Sequence, residues 1–181
     1  MDQKPMRNVA ETLRSLHLPR YEELPDAGLF LEQTSRYIES YLTPLPDVTL
    51  TGSMISNYVK KHLIDKPVRK QYNRSQIAHL LFIAVAKRVL TLEEIQLIFQ
   101  VQKRTYSDAV AYDYFCAEFE NVLQFVFGLK PVLDKIGHEH SYEKQMLRNI
   151  IIAAAHRIYL TNCFASYMED PEHAGKDTEH D

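Results

Sequence analysis

Between residues 51 and 95 the chain reads TGSMISNYVKKHLIDKPVRKQYNRSQIAHLLFIAVAKRVLTLEEI, and this order of segments leaves few folds open. A short amphipathic stretch comes first. A basic loop containing Pro67 follows, then an almost wholly apolar stretch, then a new helix start at Thr91. Apolar side chains recur at three- and four-residue steps rather than alternating, which is the period of helix and not of sheet. Only five glycines occur in 181 residues. Leu, Ile, Ala, Glu, Lys and Gln dominate the periodic stretches, all of them residues that lose little on entering a helix. The sequence predicts an all-α fold whose only β structure is a minimal hairpin near 66–72.

The length suits one elaborated domain or two small units sharing a core. Four regions are expected. Residues 1–50 supply N-terminal helices: one from an Asn8 cap to Leu16, and one from Leu29 that stops before Pro44. An acidic connector lies between them, bracketed by Pro19 and Pro25. Residues 51–104 form a head, with a helix over 52–63 capped by Thr51 or Ser53, a loop over 65–74, and a helix capped by Asn73 or Ser75. In the head's last helix, Thr91 with Glu94 three residues on is a capping-box signature. Residues 105–168 form an apolar C-terminal helical subdomain. There an aromatic helix over 107–127 ends at Gly128, and a helix over 142–168 is apolar nearly all round, as a central or interface helix would be. Residues 169–181 read as a disordered tail.

Charge is distributed unevenly. Residues 51–104 hold ten Lys/Arg against three acids, a balance of +7, while the rest holds eleven against twenty-one, or −10, giving the formal −3. An acidic chain with one cationic segment is expected to meet an anionic partner there, and double-stranded DNA is the leading candidate. On the 52–63 helix, Met54, Ile55, Tyr58, Val59 and Leu63 form an inward stripe. Ser53, Ser56, Asn57, Lys60 and Ile64 follow the opposite spacing, with Lys61 on its flank. Asn57 and the two hydroxyls are of a size to approach base edges, whereas Lys60, Lys61, Lys66, Arg69, Lys70 and Arg74 suit phosphates. The alternative for the lysines is a surface helix end whose cations offset the macrodipole.

Those residues carry a resemblance. Residues 54–64, then Pro67, Arg69 and Tyr72, then Ile77, Leu80 and Ile83, then Leu92-Glu93-Glu94-Ile95, resemble the winged helix-turn-helix head of MerR-type transcription regulators. The resemblance implies that the helix at 52–63 enters the major groove, that a basic wing containing Tyr72 grips the backbone, and that the next helix pair buttresses the wing. It places Tyr58 on the family's closing tyrosine, Leu63-Ile64 on its terminal hydrophobic pair, and Arg69 and Tyr72 on the wing. Several positions depart from the pattern. Ser56 stands where that family usually has Arg, His62 and Val89 stand where it has glycines, and the wing is short and lacks glycine. Two apolar helices replace the long C-terminal coiled coil. The whole chain, including ELPD and VTLTGSMISNYVKKHLI, is similar to a group of Gram-positive bacterial proteins known only as a domain of unknown function.

The expected function is thus a DNA-binding transcription regulator, a homodimer through residues 105–168. The competing class is a protein-interaction or effector-binding helical module that keeps the helix-turn-helix as scaffold, with a small apolar effector as one ligand. Chemistry has little support in the sequence. No Gly-rich phosphate loop, nucleophile elbow or H-E-x-x-H appears, so no catalytic residue and no cofactor are expected. Asp108, Asp113, Glu118 and Glu120 read as solvent-facing charges. His138 and His140 with Glu139 and Glu143 are the one local cluster with metal-ligand residue types, and read as a solvated turn rather than a metal site. His156 reads as a buried or half-buried imidazole. Cys116 and Cys163 read as reduced thiols in apolar helices. The N-terminal segment is polar and the longest apolar run is too short to span a bilayer, so a cytoplasmic protein without membrane contact is expected.

Overall fold

The computed structural model describes residues 4–168, apart from residue 46 and residues 138–140, with side chains described from Val9 onward. Seven α-helices carry the chain among those residues: α1 Lys4–Arg14, α2 Leu31–Leu42, α3 Gly52–Lys60, α4 Arg74–Ala86, α5 Leu92–Thr105, α6 Asp108–Val126 and α7 Tyr142–Met168. A 3-10 turn at Tyr21–Glu23 and two strands of two residues, β1 Leu29–Phe30 and β2 Gln71–Tyr72, complete it. The fold is all-α, as the periodicity required. Asn8 lies inside α1 rather than at its cap, and the predicted His138, Glu139 and His140 turn and the 169–181 tail fall outside the described residues.

The centre of the molecule is α4. Gln76, Ile77 and Ala78, then every residue from Leu80 to Ala86, are buried. A helix apolar on all sides is stable only when surrounded, and α2, α6 and α7 surround it. Helix α7, expected to be central or in an interface, buries one side, through Ile151, Ala154, Ala155 and Ile158, and runs along α6. Fully burying each large side chain contributes roughly 1.5–3 kcal/mol, so Phe115 and Phe119 on α6, stacked with centroids 5.7 Å apart, are substantial anchors.

The start of α4 is fixed by a reciprocal cap. Asn73 Oδ1 accepts from the Gln76 amide, and Gln76 Oε1 accepts from the Asn73 amide, both at 2.9 Å. The predicted Thr91–Glu94 box starts α5 in the same way, with hydrogen bonds of 3.2 and 2.7 Å. Helix α6 ends in a Schellman turn at Gly128, whose φ of 69° and the bond from the Leu129 amide to the Gln124 carbonyl close the last turn.

The acids on α6 are not solvent-facing, and their partners explain the correction. Glu120 receives both nitrogens of Arg20, at 2.9 and 2.7 Å, and Asp113 accepts from the Tyr21 amide at 2.7 Å. The 19–25 connector is thereby fastened to α6. Glu118 is fully buried, with Arg148 Nε 3.1 Å from its Oε1; burial raises its carboxyl pKa while Arg148 pulls it back. Asp108 is held by Ser75 and Gln102. Cys116 is buried and Cys163 half-buried, and both are free thiols. His156, expected to be at least half-buried, is exposed. No helix among the described residues is long and apolar enough to cross a membrane.

Candidate nucleic-acid interface

Thr51 starts α3 by accepting the Met54 amide on its hydroxyl at 3.3 Å. Ile55 and Tyr58 are buried beneath, and burial raises the Tyr58 phenol pKa. Ser53, Asn57, Lys60 and Lys61 are exposed. Ser56 is half-buried, and its hydroxyl donates to the Gly52 carbonyl at 2.9 Å. Its proton therefore belongs to the helix, and only its lone pairs remain for a ligand.

The helix ends at Lys60, three residues before the predicted boundary. Lys61 caps it, and His62 turns left-handed with φ of 57°. The His62 amide then donates to Val59 and the Leu63 amide to Tyr58, the two bonds of a Schellman turn. The reversal carries Ile64, expected on the exposed stripe, into the core beside Leu63. Only a residue tolerant of positive φ ends the helix there.

From Asp65 the chain makes a short hairpin loop, where the wing is expected. Val68 bridges Gln71, whose amide donates to the Val68 carbonyl at 2.9 Å. The two residues between them, Arg69 and Lys70, have φ of 51° and 65°. Positive φ at both central positions is the pattern of a type I′ turn, usually Asn-Gly, and here two long cationic residues occupy it. Each costs roughly 1–2 kcal/mol in that conformation. The hairpin does not stand alone. Its returning strand β2 pairs antiparallel with β1, Leu29 opposite Tyr72 and Phe30 opposite Gln71. The β1 pairing lies outside the expected 66–72 region and places a second β segment ahead of α2. Gly28 precedes it because a Cβ there would come within 2.8 Å of Gln71 Cβ.

Strand β2, α3 and β1 all contact α2, so helix and hairpin share one support. Of the ten predicted site residues, Ser53, Asn57, Lys60, Lys61, Lys66, Arg69 and Lys70 are exposed. The side chains of the five cations among them make no hydrogen bond or ion pair with the described residues. Two predicted contacts are corrected. Tyr72 is buried in the core, with its phenol pKa raised by burial, and is not available to grip a backbone. Arg74 is turned inward: its guanidinium meets Glu22 at 2.6 Å, the Leu24 carbonyl at 3.1 Å and Asp26 at 3.6 Å, and sits over the Tyr21 ring. It braces the connector instead of facing a phosphate.

Sequence reasoning missed the polar contacts that hold this unit to the core. Gln76 Nε2 donates to the Asp65 carbonyl at 2.8 Å, and Lys87 Nζ to the Thr49 carbonyl at 2.5 Å, where burial lowers the ammonium pKa. Arg88 donates to Asp47 at 2.9 Å and to Thr161 on α7 at 3.3 Å. Lys87 and Arg88 thus contribute to the positive balance of the segment but serve the fold.

No curated protein and no solved structure matches the chain. The family model that matches covers residues 19–115, more than half of the length, and the chain therefore belongs to the family described as Domain of unknown function (DUF1836).

Proposed function

We propose that this protein is a transcription regulator that reads duplex DNA with α3 and the wing around Arg69 and Lys70. In this reading residues 29–105 are a MerR-like winged helix-turn-helix unit, with β1 leading into α2 and α3, the wing following, and α4 and α5 as buttress. The observation that carries the reading is the turn at Arg69–Lys70. Two cations are kept in a conformation that glycine or asparagine would adopt more cheaply, and strain retained in an exposed turn points to a use for those side chains. The exposed Ser53, Asn57, Lys60 and Lys61 on α3, and Lys66 ahead of the turn, add uncharged groups for base edges and cations for phosphates without a competing acid on that face of α3.

The match to residues 19–115 is consistent with this unit being the part the family shares, since the span contains β1, α2, α3, the wing and α4 entire. The second half of the proposal is a homodimer through α7. Leu160, Phe164 and Met168 are exposed at four-residue intervals, forming an apolar stripe along the helix's last turns. A twofold pair would present two reading heads, spaced for half-sites about 34–36 Å apart.

Fluorescence anisotropy with the duplex upstream of the protein's own gene, across a salt series, tests the reading. Binding that weakens steeply with salt and exceeds binding to a scrambled duplex supports it. Absence of binding to any duplex at low salt overturns it, and α3 is then a scaffold element of an interaction module.

A further inference from the structure

We infer that the cleft between α5 and α6, floored by α4 and walled by α7, binds a small neutral aromatic molecule carrying a carboxamide or lactam edge. Two hollows of about 60 and 50 Å3 adjoin there and share Ile98, Gln102, Ala111 and Leu147 as lining. The larger is walled by the Phe82 and Phe99 rings, whose centroids lie 5.6 Å apart. Apolar walls with a few convergent polar groups are the composition of small-molecule sites.

The polar groups are specific. Gln102 Nε2 donates to the Tyr106 carbonyl at 2.8 Å and to Asp108 Oδ1 at 3.2 Å. With both neighbours acceptors, the amide orientation is fixed, and Gln102 Oε1 is left buried without a donor. His79, held against Phe99 with centroids 4.5 Å apart, has its buried Nε2 3.4 Å from Asp108 Oδ1, an ion-pair contact rather than a close hydrogen bond. Buried polar atoms are almost always partnered, and the three on this lining without a hydrogen bond, Tyr112 Oη being the third, mark a place for a missing partner.

What fits follows from their chemistry. Gln102 Oε1 requires an N–H. The Tyr112 hydroxyl, buried at the same hollow without a partner, can donate and so requires an acceptor. A donor and an acceptor on one small edge are what a primary carboxamide or a lactam presents. The attached ring would lie between the hollows against Phe99 and Ala111. An anionic ligand is disfavoured, because Asp108 is itself ionised there, its pKa held below the usual carboxylate range by His79 and Ser75. This site shares no residue with α3 or the wing and stands independently of DNA reading.

Titration calorimetry on the full chain with benzamide, benzoate and toluene tests it. Benzamide is expected to bind saturably in the millimolar range or tighter, and benzoate and toluene about tenfold more weakly. Gln102→Leu should remove the preference for benzamide over toluene. Ala111→Leu, which fills the shared wall and leaves every hydrogen bond intact, should abolish binding of both with an unchanged circular dichroism spectrum, and it serves alone if Gln102→Leu fails to fold. No saturable benzamide binding, equal binding of toluene, or benzamide binding that survives Ala111→Leu would each overturn the assignment.

Discussion

The side-chain amide of Gln76 reaches the carbonyl of Asp65 across 2.8 Å, joining the first turn of the central helix to the base of the wing. The same side chain caps α4 through Asn73, at the wing's other end, so one buried residue closes the whole 65–73 loop. Gln76→Leu preserves size but leaves a carbonyl and a capping amide without their partner. A loss of about 1–3 kcal/mol is expected in urea unfolding. Faster hydrogen exchange at Gln71 should accompany it, and exchange unchanged at Gln71 would show that the wing is held by β1 alone.

His62 provides a test of opposite sign. It occupies the left-handed position of the turn ending α3 and is exposed, so its imidazole has no packing to lose. His62→Gly should stabilise the fold by about 1 kcal/mol, seen as a raised Tm. A lower Tm would mean that the imidazole makes a contribution that the turn geometry does not account for.

What was legible in the sequence was local. The Asn73 and Thr91 caps, the apolar α4 stretch and the extent of α6 and α7 follow from residues within a turn or two of one another. What was not legible depended on distant partners. Strand β1 is two residues long and exists because Gln71 and Tyr72 arrive beside it some forty positions later; Gly28 was its one local sign. Glu118 looks like a surface acid until α7 brings Arg148 to it. Arg74 looks like a wing cation until the connector brings Glu22 and Asp26 under it. Charge counting along the chain overstates the candidate interface for the same reason.

Asp108 makes stability depend on pH in a defined direction. Its carboxyl pKa is depressed by His79 first, and also by Ser75 and Gln102, against an opposing contribution from burial. A depressed pKa stabilises the folded state above the unfolded carboxylate range, and that stabilisation is lost as pH falls through the folded value. Asp108→Asn should therefore be less stable than the wild type at neutral pH, with the gap narrowing on acidification below the ordinary aspartate range. Parallel Tm curves at all pH values would refute this.

The dimer proposal also has a defined variant. Ile151 is buried within the monomer, so Ile151→Glu would damage the fold and report nothing on association. Phe164 is 57% exposed, and a charge there costs the monomer little. Phe164→Glu should shift sedimentation at micromolar concentration from dimer to monomer while leaving the circular dichroism spectrum unchanged. A wild type that is monomeric at tens of micromolar (roughly the range in which a modest interface still holds) would remove the proposal.

The wing turn separates use from stability in a single variant. Replacing Arg69 by Asn and Lys70 by Gly installs the residues that the turn geometry favours. Relief of two left-handed conformations should stabilise the protein by roughly 1–2 kcal/mol, discounting part of each conformational cost for the flexibility that glycine adds to the unfolded chain. If the cations meet phosphates, DNA affinity should nonetheless fall for all sequences, and the slope of log affinity against log salt should lose about two units. Lys60→Ala or Lys61→Ala should lower the slope by about one unit without the gain in stability. Asn57→Ala, with no charge removed, should leave nonspecific binding and the slope intact while reducing discrimination at one base pair by roughly 1–3 kcal/mol. A variant that is more stable and binds DNA as the wild type does would leave the strained turn without a nucleic-acid role.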